Sequence, residues 1–182
     1  LIKQLFSRKY LWATHVWNLF DFAADGRDEG GKHGENQKGL VTIDRKTKKD
    51  AFYLYKAAWN KKDAFVHLCG SRYVDRAEDV TEVKVYSNQP AVTLFVDGKE
   101  AETKEGRIVF TFSIPIAGEH KVEAKAGDCT DTISIRKVAE PNDDYIFVKR
   151  APVTNWFDAD ELDPECFSIN DRLADIKTNP QA

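Results

Sequence analysis

The middle of the chain is built from short runs in which apolar and polar residues alternate, and this pattern constrains the fold most strongly. Between residues 62 and 138 the runs are AFVHLC, EVKVYS, AVTLFV, RIVFTFSI, HKVEAKA and DTISIRKV. Successive side chains of a strand point to opposite faces, so alternation indicates strands with one buried face. Strands this short and this closely spaced predict an antiparallel β-sandwich.

Turn residues separate these runs. The strongest signal is Asp97-Gly98, between AVTLFV and KEAETK. A type I′ hairpin turn needs positive φ at both central positions, which Asp and Gly tolerate. Weaker turn signals lie at Ser87–Pro90, Ala117-Gly118 and Gly127-Asp128.

The aromatic residues of this region have two interpretations. Inward positions of a sandwich are apolar, so we expect Tyr86, Phe95 and His67 to belong to the core. The alternative is a non-catalytic carbohydrate-binding module that presents these three side chains on its surface. A third interpretation is a purely structural spacer.

Residues 1–61 have a different pattern of apolar and polar residues. LWATHVW (11–17) is a nearly continuous apolar run, typical of a strand that is buried on both faces. A polar, glycine-rich loop follows over residues 18–38. The pattern of residues 47–59 predicts a helix, and its apolar stripe comprises Ala51, Phe52, Tyr55, Ala58 and Trp59.

The changes in residue pattern along the chain predict three segments, 1–61, 62–138 and 139–182. The last segment opens with the polar linker AEPNDD. Near its end, Ser168 with Asp171 three residues later predicts a capped helix start. A short amphipathic C-terminal helix then presents on one face Ile169, Leu173 and Ile176.

Charge and residue spacing exclude several function classes. The net charge is −3 with both signs interleaved, so we expect no partnership with nucleic acid or with an anionic membrane. We expect no metal and no cofactor, because CxxC and HxxxH spacings are absent among Cys69, Cys129 and Cys166 and among His15, His33, His67 and His120. The cysteines are expected to be free, at least partly buried thiols, with one disulfide as the alternative. The chain contains no methionine, which favours a piece of a longer protein or a processed form.

Residues 12–60 resemble the end of the catalytic barrel in glycoside hydrolase family 2. The matching stretches are LWATHVWNLFDF and DGRDEGGKHGENQKGLVTIDRKTKKDAFYLYKAAW. The likeness is greatest to the β-galactosidases, with β-glucuronidases as relatives. RYVDR, VKVYSN and VTLFVDGKE resemble the immunoglobulin-like domain that follows such a barrel, and VTNWF and SIND resemble the segment beyond it. The resemblance implies that residues 11–17 are the eighth strand of a (β/α)₈ barrel and that 18–38 is an active-site loop.

The resemblance also implies three site residues. Trp17 is placed to stack on a sugar ring, because an indole offers a flat apolar face and one N–H donor. A cis peptide is expected at Trp17–Asn18. Asn36 and Lys38 resemble the element with which β-glucuronidases hold the sugar carboxylate. The alternatives are a core tryptophan and a solvated loop lysine.

The remaining charges of this loop are expected to form salt bridges that fold it, rather than a cation site. They are Asp25, Arg27, Asp28, Glu29, His33 and Glu35.

The resemblance implies a retaining β-glycosidase that is most like a β-galactosidase, with a β-glucuronidase as the alternative. Such enzymes use two carboxylates about 5–5.5 Å apart, and no residue of this chain matches either motif. We therefore expect no catalytic residue in this chain and no activity of the chain alone. The expected partners are a β-linked saccharide in the intact enzyme and a second copy that covers the unpaired barrel remnant. We expect a soluble protein, periplasmic or secreted in a bacterium, with the compartment left open.

Overall fold

A computed structural model describes residues 8–10, 13, 15–24, 32 and 34–146 of the 182-residue chain. The described residues form two compact units, and the boundary between them falls between Asp44 and Arg45. The predicted C-terminal helix that begins at Ser168 lies outside the described residues, as do the VTNWF segment and Cys166. In the part of the chain that is described, no helix is long and apolar enough to cross a membrane.

The first unit is a loop that is held together by its own backbone. Strands β1 (Phe22–Ala23) and β2 (Glu35–Asn36) pair in antiparallel fashion. A parallel bridge joins Phe20 to Val41, so the two arms of the loop lie side by side. Backbone N–H and C=O groups of this polar segment therefore find partners in each other.

The predicted strand over residues 11–17 is not formed by its described members. Ala13 and His15–Trp17 lie outside any strand. A strand exists only where a neighbour accepts and donates its backbone hydrogen bonds. Among the described residues of the first unit, such pairing is found from Asn18 onward, where Asn18 C=O accepts the N–H of Leu40 at 3.1 Å and Leu19 C=O accepts that of Val41 at 2.9 Å.

The second unit is a two-layer β-sandwich with one helix, and it confirms the predicted mainly β fold. One sheet has three strands in the order β3-β5-β8, and the other has five in the order β4-β10-β9-β6-β7. Neighbouring strands are antiparallel except for β4 and β10. The strands are β3 (Val66–Leu68), β4 (Asp75–Arg76), β5 (Val80–Ser87), β6 (Ala91–Val96), β7 (Lys99–Glu105), β8 (Ile108–Pro115), β9 (Glu119–Ala126) and β10 (Cys129–Lys137). A 3₁₀ turn follows at Asp143–Tyr145.

The core lies between the two sheets and follows the alternation of the sequence. In β8, Phe110, Phe112 and Ile114 are buried, whereas Val109 between the strand's inward positions is 41% exposed. Alternate positions of the facing strands complete the same cluster, notably Leu68, Val83, Val85, Val92, Leu94, Val122, Ala124, Ile133 and Ile135. The burial of these side chains is the main force that stabilises the second unit.

The hairpin between β6 and β7 confirms the predicted turn. Asp97 has φ 52° and Gly98 has φ 78°, which are the left-handed values that a type I′ turn requires. Strand β7, KEAETKE, is almost entirely exposed and forms an edge of the five-stranded sheet. Its charges discourage pairing with another chain.

The helix α1 (Asp50–Trp59) confirms the predicted helix but buries a different face. Ala57 is its buried residue, and the ring of Tyr53, one turn earlier, stacks on His67 of β3. Ala51 is exposed, and Trp59 is 51% exposed. The position of the sandwich therefore decides which face of α1 is covered. The number of apolar residues on each face of the helix does not decide it.

The expectation that Tyr86, Phe95 and His67 belong to the core is wrong. All three are half-buried and lie outside the core cluster. In β5 the inward positions are Val83 and Val85, so Tyr86 points to the opposite face. The alternation of inward and outward positions along the strand therefore decides which face the Tyr86 ring lies on, and the apolar character of the ring does not.

Candidate functional site

Trp17 lies where the chain enters the loop of the first unit, and its indole is 75% exposed. The rings of Trp17 and Phe22 form a T-shaped pair, with ring centroids 6.3 Å apart and planes at 89°. The Trp17–Asn18 peptide is cis, as predicted. The exposed indole face is available to a flat apolar surface such as one side of a sugar ring.

Asn36 and Lys38 lie on the other arm of the same loop. The side chain of Asn36 is buried at 3% exposure, and its Oδ1 accepts the backbone N–H of Lys38 at 3.0 Å. Lys38 itself is exposed. Asn36 therefore fixes the backbone that carries Lys38, and the direct substrate contact expected for it stays a prediction.

Asp21 ties the two arms together, and the sequence did not single it out. Its side chain is buried at 4% exposure, and its Oδ1 accepts the N–H of Gly39 at 2.8 Å. The Asp21 N–H in turn donates to the C=O of Val41 at 2.9 Å. The only signal in the sequence is one carboxylate within the aromatic run WNLFDF.

These contacts place all three predicted site residues on one small scaffold. Trp17 contacts Phe22, which lies opposite Asn36 in the β1–β2 pair. Asn36 holds Lys38, and Lys38 precedes the glycine that Asp21 binds. The arrangement presents an exposed tryptophan and an exposed lysine from one loop, residue types that suit a ligand with an apolar face and an anionic group.

One ion pair of the loop is described. Lys32 Nζ lies 2.9 Å from Glu35 Oε1, and the hydrogen bond with Glu35 raises the pKa of Lys32. This contact confirms the predicted salt-bridge role of Glu35. Asp25, Arg27, Asp28, Glu29 and His33 lie outside the described residues.

A second group of polar side chains lies where α1 meets the sandwich, and we call Asp50, His67, Cys69 and Asp131 the His67 cluster. His67 Nε2 lies 2.9 Å from Asp50 Oδ1, and Nδ1 lies 3.5 Å from Asp131 Oδ2. Burial opposes the charge on His67, but the hydrogen bonds with Asp131 and Asp50 together outweigh it, so its pKa is raised. Burial raises the pKa of the Cys69 thiol to about 12.

The prediction of free thiols is confirmed for Cys69 and Cys129, which are both half-buried and unbridged. The Sγ of Cys129 donates to the C=O of Ala64 at 3.1 Å. Among the described residues, the group of donors that could hold a metal ion comprises Asp50, His67 and Cys69.

A groove of about 390 Å³ opens at the end of α1, between the β5–β6 and β7–β8 turns. Three cationic side chains line it, Lys61, Lys62 and Arg107, together with the single carboxylate of Asp63. The side-chain amides of Asn60, Asn88 and Gln89 complete its polar wall. Such a groove is large enough for part of a drug-sized ligand, and its charge favours an anion.

Comparisons with known proteins identify homologues among glycosidases. The chain is 45% identical over 96 residues to a β-glucuronidase of Bacteroides fragilis, a match that covers 53% of this chain and 14% of that protein. Among solved structures, an FMN-binding β-glucuronidase from Faecalibacterium prausnitzii L2-6 is 49% identical with a TM-score of 0.72, covering 75% of this chain and 21% of the other. No family model matches the chain.

A structure from Bacteroides fragilis that is provisionally described as a β-galactosidase is 34% identical with a TM-score of 0.62. It covers 69% of this chain and 20% of the other. The homologues and structural neighbours are therefore β-glucuronidase-like and β-galactosidase-like glycoside hydrolases, and this chain spans about a fifth or less of their length.

Proposed function

We propose that this chain is the C-terminal part of a retaining β-glycosidase of glycoside hydrolase family 2, and that the described residues 16–24 and 34–41 form one wall of its sugar-binding site. The observation that carries the proposal is the 49% identity to the F. prausnitzii β-glucuronidase over 75% of this chain. The exposed Trp17 and Lys38, held on one loop by Asn36 and Asp21, supply the chemistry for a sugar ligand.

Each residue has a separate role in this proposal. The indole of Trp17 covers the apolar face of the sugar ring. The ammonium of Lys38 pairs with an anionic substituent, since a lysine acts as a flexible point charge. Asn36 positions Lys38 through the hydrogen bond to its backbone N–H. The carboxylate pair that cleaves the bond belongs to another part of the parent enzyme.

Two substrate classes fit this site, a β-galactoside and a β-glucuronide. The comparisons contain both names and do not choose between them. The two sugars differ in the configuration of the C4 hydroxyl and in the substituent at C5, which is a carboxylate in the glucuronide and a hydroxymethyl group in the galactoside. Lys38 distinguishes them, because a cation stabilises a bound carboxylate far more than a neutral group.

The test is the activity of the full-length parent protein on aryl β-glucuronide and aryl β-galactoside, with and without Lys38→Ala. A charged hydrogen bond contributes about 1.5–3 kcal/mol. If the substrate is a glucuronide, kcat/KM therefore falls about 10- to 100-fold in Lys38→Ala. Lys99→Ala, on the exposed edge strand β7, is the matched control and keeps the activity. If neither glycoside is hydrolysed by the parent protein, the proposal is wrong.

The 182-residue chain alone provides a second test. The proposal places no catalytic carboxylate pair in it, so the purified chain hydrolyses neither aryl glycoside above the uncatalysed rate. If glycoside hydrolysis co-purifies with this polypeptide, the catalytic pair lies within the chain.

A second candidate function is FMN binding. The F. prausnitzii structural neighbour is described as FMN-binding, and the groove at the end of α1 combines cationic side chains with a row of amides. We propose that this groove binds FMN, with Lys61, Lys62 and Arg107 around the phosphate. The side-chain amide of Gln89 can hydrogen-bond the polar edge of the flavin ring, whereas that of Asn88 already binds the N–H of Phe65 and the C=O groups of Asn60 and Asp63.

Quenching of FMN fluorescence by the 182-residue chain tests this second proposal. FMN binds to the wild-type chain, and Arg107→Ala weakens it about 10-fold or more because a charged hydrogen bond is lost. Riboflavin, which lacks the phosphate, binds as weakly to the wild type as FMN does to the variant. Lys99→Ala serves as the control. Equal affinity for FMN and riboflavin, or an unchanged affinity in Arg107→Ala, would contradict the assignment.

A further inference from the structure

The His67 cluster brings together three donors of different chemical type. The oxygen of Asp50, the Nε2 of His67 and the Sγ of Cys69 all lie within 4.8 Å of one another. Asp50 is the first residue of α1, His67 lies in β3, and Cys69 follows that strand directly. We propose that these three side chains bind a zinc ion that joins α1 to the sandwich.

The ligand types select zinc among the common ions. Zinc accepts thiolate, imidazole and carboxylate ligands at about 2.0–2.3 Å in tetrahedral geometry. Calcium and magnesium prefer an all-oxygen shell, which a thiol and an imidazole do not provide. Three protein ligands leave the fourth position to a water molecule.

The surroundings of His67 are those of a metal ligand with its supporting shell. Asp131 Oδ2 lies 3.5 Å from Nδ1 of His67. With the Nδ1–H directed to this carboxylate, Nε2 is the nitrogen that can bind a metal once the proton between Nε2 and Asp50 Oδ1 has left. A histidine that ligates zinc usually donates its other N–H to such a carboxylate. The ring of Tyr53 stacks on the imidazole at 3.7 Å and fixes its plane.

The carboxylate of Asp50 is oriented in the same way. Its Oδ2 accepts the N–H of Gly70 at 2.9 Å, while Oδ1 faces His67 Nε2 at 2.9 Å. Oδ1 is therefore the oxygen directed toward the position that the metal would take. The side chain of Asp50 is 45% exposed, so an ion can enter from that side.

Small movements convert this arrangement into a metal site. In a tetrahedral site with bonds of about 2.0–2.3 Å, neighbouring ligand atoms lie roughly 3.3–3.7 Å apart. The present separations run from 2.9 Å between Nε2 and Oδ1 up to 4.8 Å within the group. Side-chain rotations of about an ångström are enough. On binding, zinc takes the place of the proton between Nε2 and Oδ1, and the thiol of Cys69 gives up its proton to solvent.

Cobalt(II) reports on this site directly, because a cobalt–thiolate bond has a charge-transfer absorption that oxygen and nitrogen ligands lack. The 182-residue chain is titrated with cobalt(II), and zinc is then added. We expect one equivalent of cobalt to produce the thiolate band and zinc to abolish it. Cys69→Ser removes the band, whereas the matched control Cys129→Ser keeps it.

Two more variants separate a metal site from a reactive thiol. His67→Gln weakens zinc binding at least 10-fold, and Asp131→Asn weakens it about 10- to 100-fold through the supporting shell. Circular dichroism verifies that each variant retains the sandwich. The proposal is overturned if the wild type shows no thiolate band, if the band persists in Cys69→Ser, or if His67→Gln binds zinc as the wild type does.

Discussion

Gly39 packs against the backbone of Asp21 so closely that a side chain cannot be accommodated. A Cβ atom at Gly39 would lie 2.2 Å from the backbone nitrogen of Asp21 and 2.7 Å from its Oδ1. The N–H of Gly39 donates to that same Oδ1 at 2.8 Å. The close approach allows Asp21 to join the two arms of the loop, and Lys38 is the residue that this junction positions.

Gly39→Ala should therefore open the junction. The displaced backbone weakens the neighbouring hydrogen bonds from Leu40 N–H to Asn18 C=O and from Val41 N–H to Leu19 C=O. Overpacking of this kind costs about 1–3 kcal/mol. Amide hydrogen exchange at Leu40 and Val41 should accelerate about 5- to 100-fold, while the amide of Phe112 in the second unit exchanges as in the wild type. Unchanged exchange at both amides would show that the loop does not depend on this contact.

The core of the sandwich provides a prediction about stability. Phe112 is fully buried between the sheets, whereas Val109 in the same strand is 41% exposed. Phe112→Ala leaves a cavity and should lower the free energy of unfolding by about 3–5 kcal/mol. Val109→Ala, the matched control, should change it by less than about 1 kcal/mol. Urea unfolding followed by circular dichroism measures both, and equal losses would contradict the assigned inward face of β8.

Asp75 predicts a pH dependence. Its carboxylate accepts hydrogen bonds from Asn142 and from Arg136, and these contacts lower the pKa of Asp75 from 3.8. A lowered folded-state pKa means that the stabilisation is present above about pH 3.8 and is lost as the pH falls through the folded value. The urea midpoint of Asp75→Asn should lie below that of the wild type at pH 7.

The urea midpoints of the wild type and of Asp75→Asn are also compared at low pH. As the pH falls through the lowered folded-state pKa of Asp75, the carboxyl of the wild type becomes protonated in both states, so the two urea midpoints should converge. A difference between the midpoints that does not shrink as the pH is lowered would show that Asp75 stabilises the fold through its shape rather than its charge.

The alternation of short runs was enough to predict the sandwich. Every second residue of such a strand is buried, so the period of two in the sequence predicts which positions line the core. Examples are Val83, Val85, Phe110 and Phe112. The Asp97-Gly98 turn was predictable for a local reason, since few residues tolerate its dihedral angles. Strand β7 is too polar to show any alternation, and only the turn before it indicates a strand there.

Contacts between distant segments could not be predicted in the same way. The His67 cluster joins residues that are 17 and 64 positions apart in sequence, counted from Asp50 to His67 and from His67 to Asp131. Metal-ligand spacings in sequence describe local loops and do not apply to donors on separate elements. The covered face of α1 was mispredicted for a related reason, because the stacking of Tyr53 on His67 depends on where the sandwich lies.

The candidate residues of the loop were proposed from a resemblance and not from physical reasoning. Trp17, Asn36 and Lys38 were selected by a family likeness, whereas Asp21 and Phe22, which hold them in place, carry no signal beyond an aromatic run. Backbone pairing between Phe20 and Val41 closes the loop, and such irregular pairing has no characteristic residue pattern.

The proposed role of Trp17 in sugar binding is tested most directly by the activity of the full-length parent protein with Trp17→Ala. Trp59→Ala is the matched control, because Trp59 is also exposed, at 51% against 75% for Trp17. Loss of an aromatic surface that covers the substrate costs about 1.5–3 kcal/mol. The predicted result is a kcat/KM about 10- to 100-fold lower for Trp17→Ala on the preferred aryl β-glycoside, with the thermal unfolding midpoint and the Trp59→Ala activity unchanged. A Trp17→Ala protein that hydrolyses the glycoside as fast as the wild type would contradict the account.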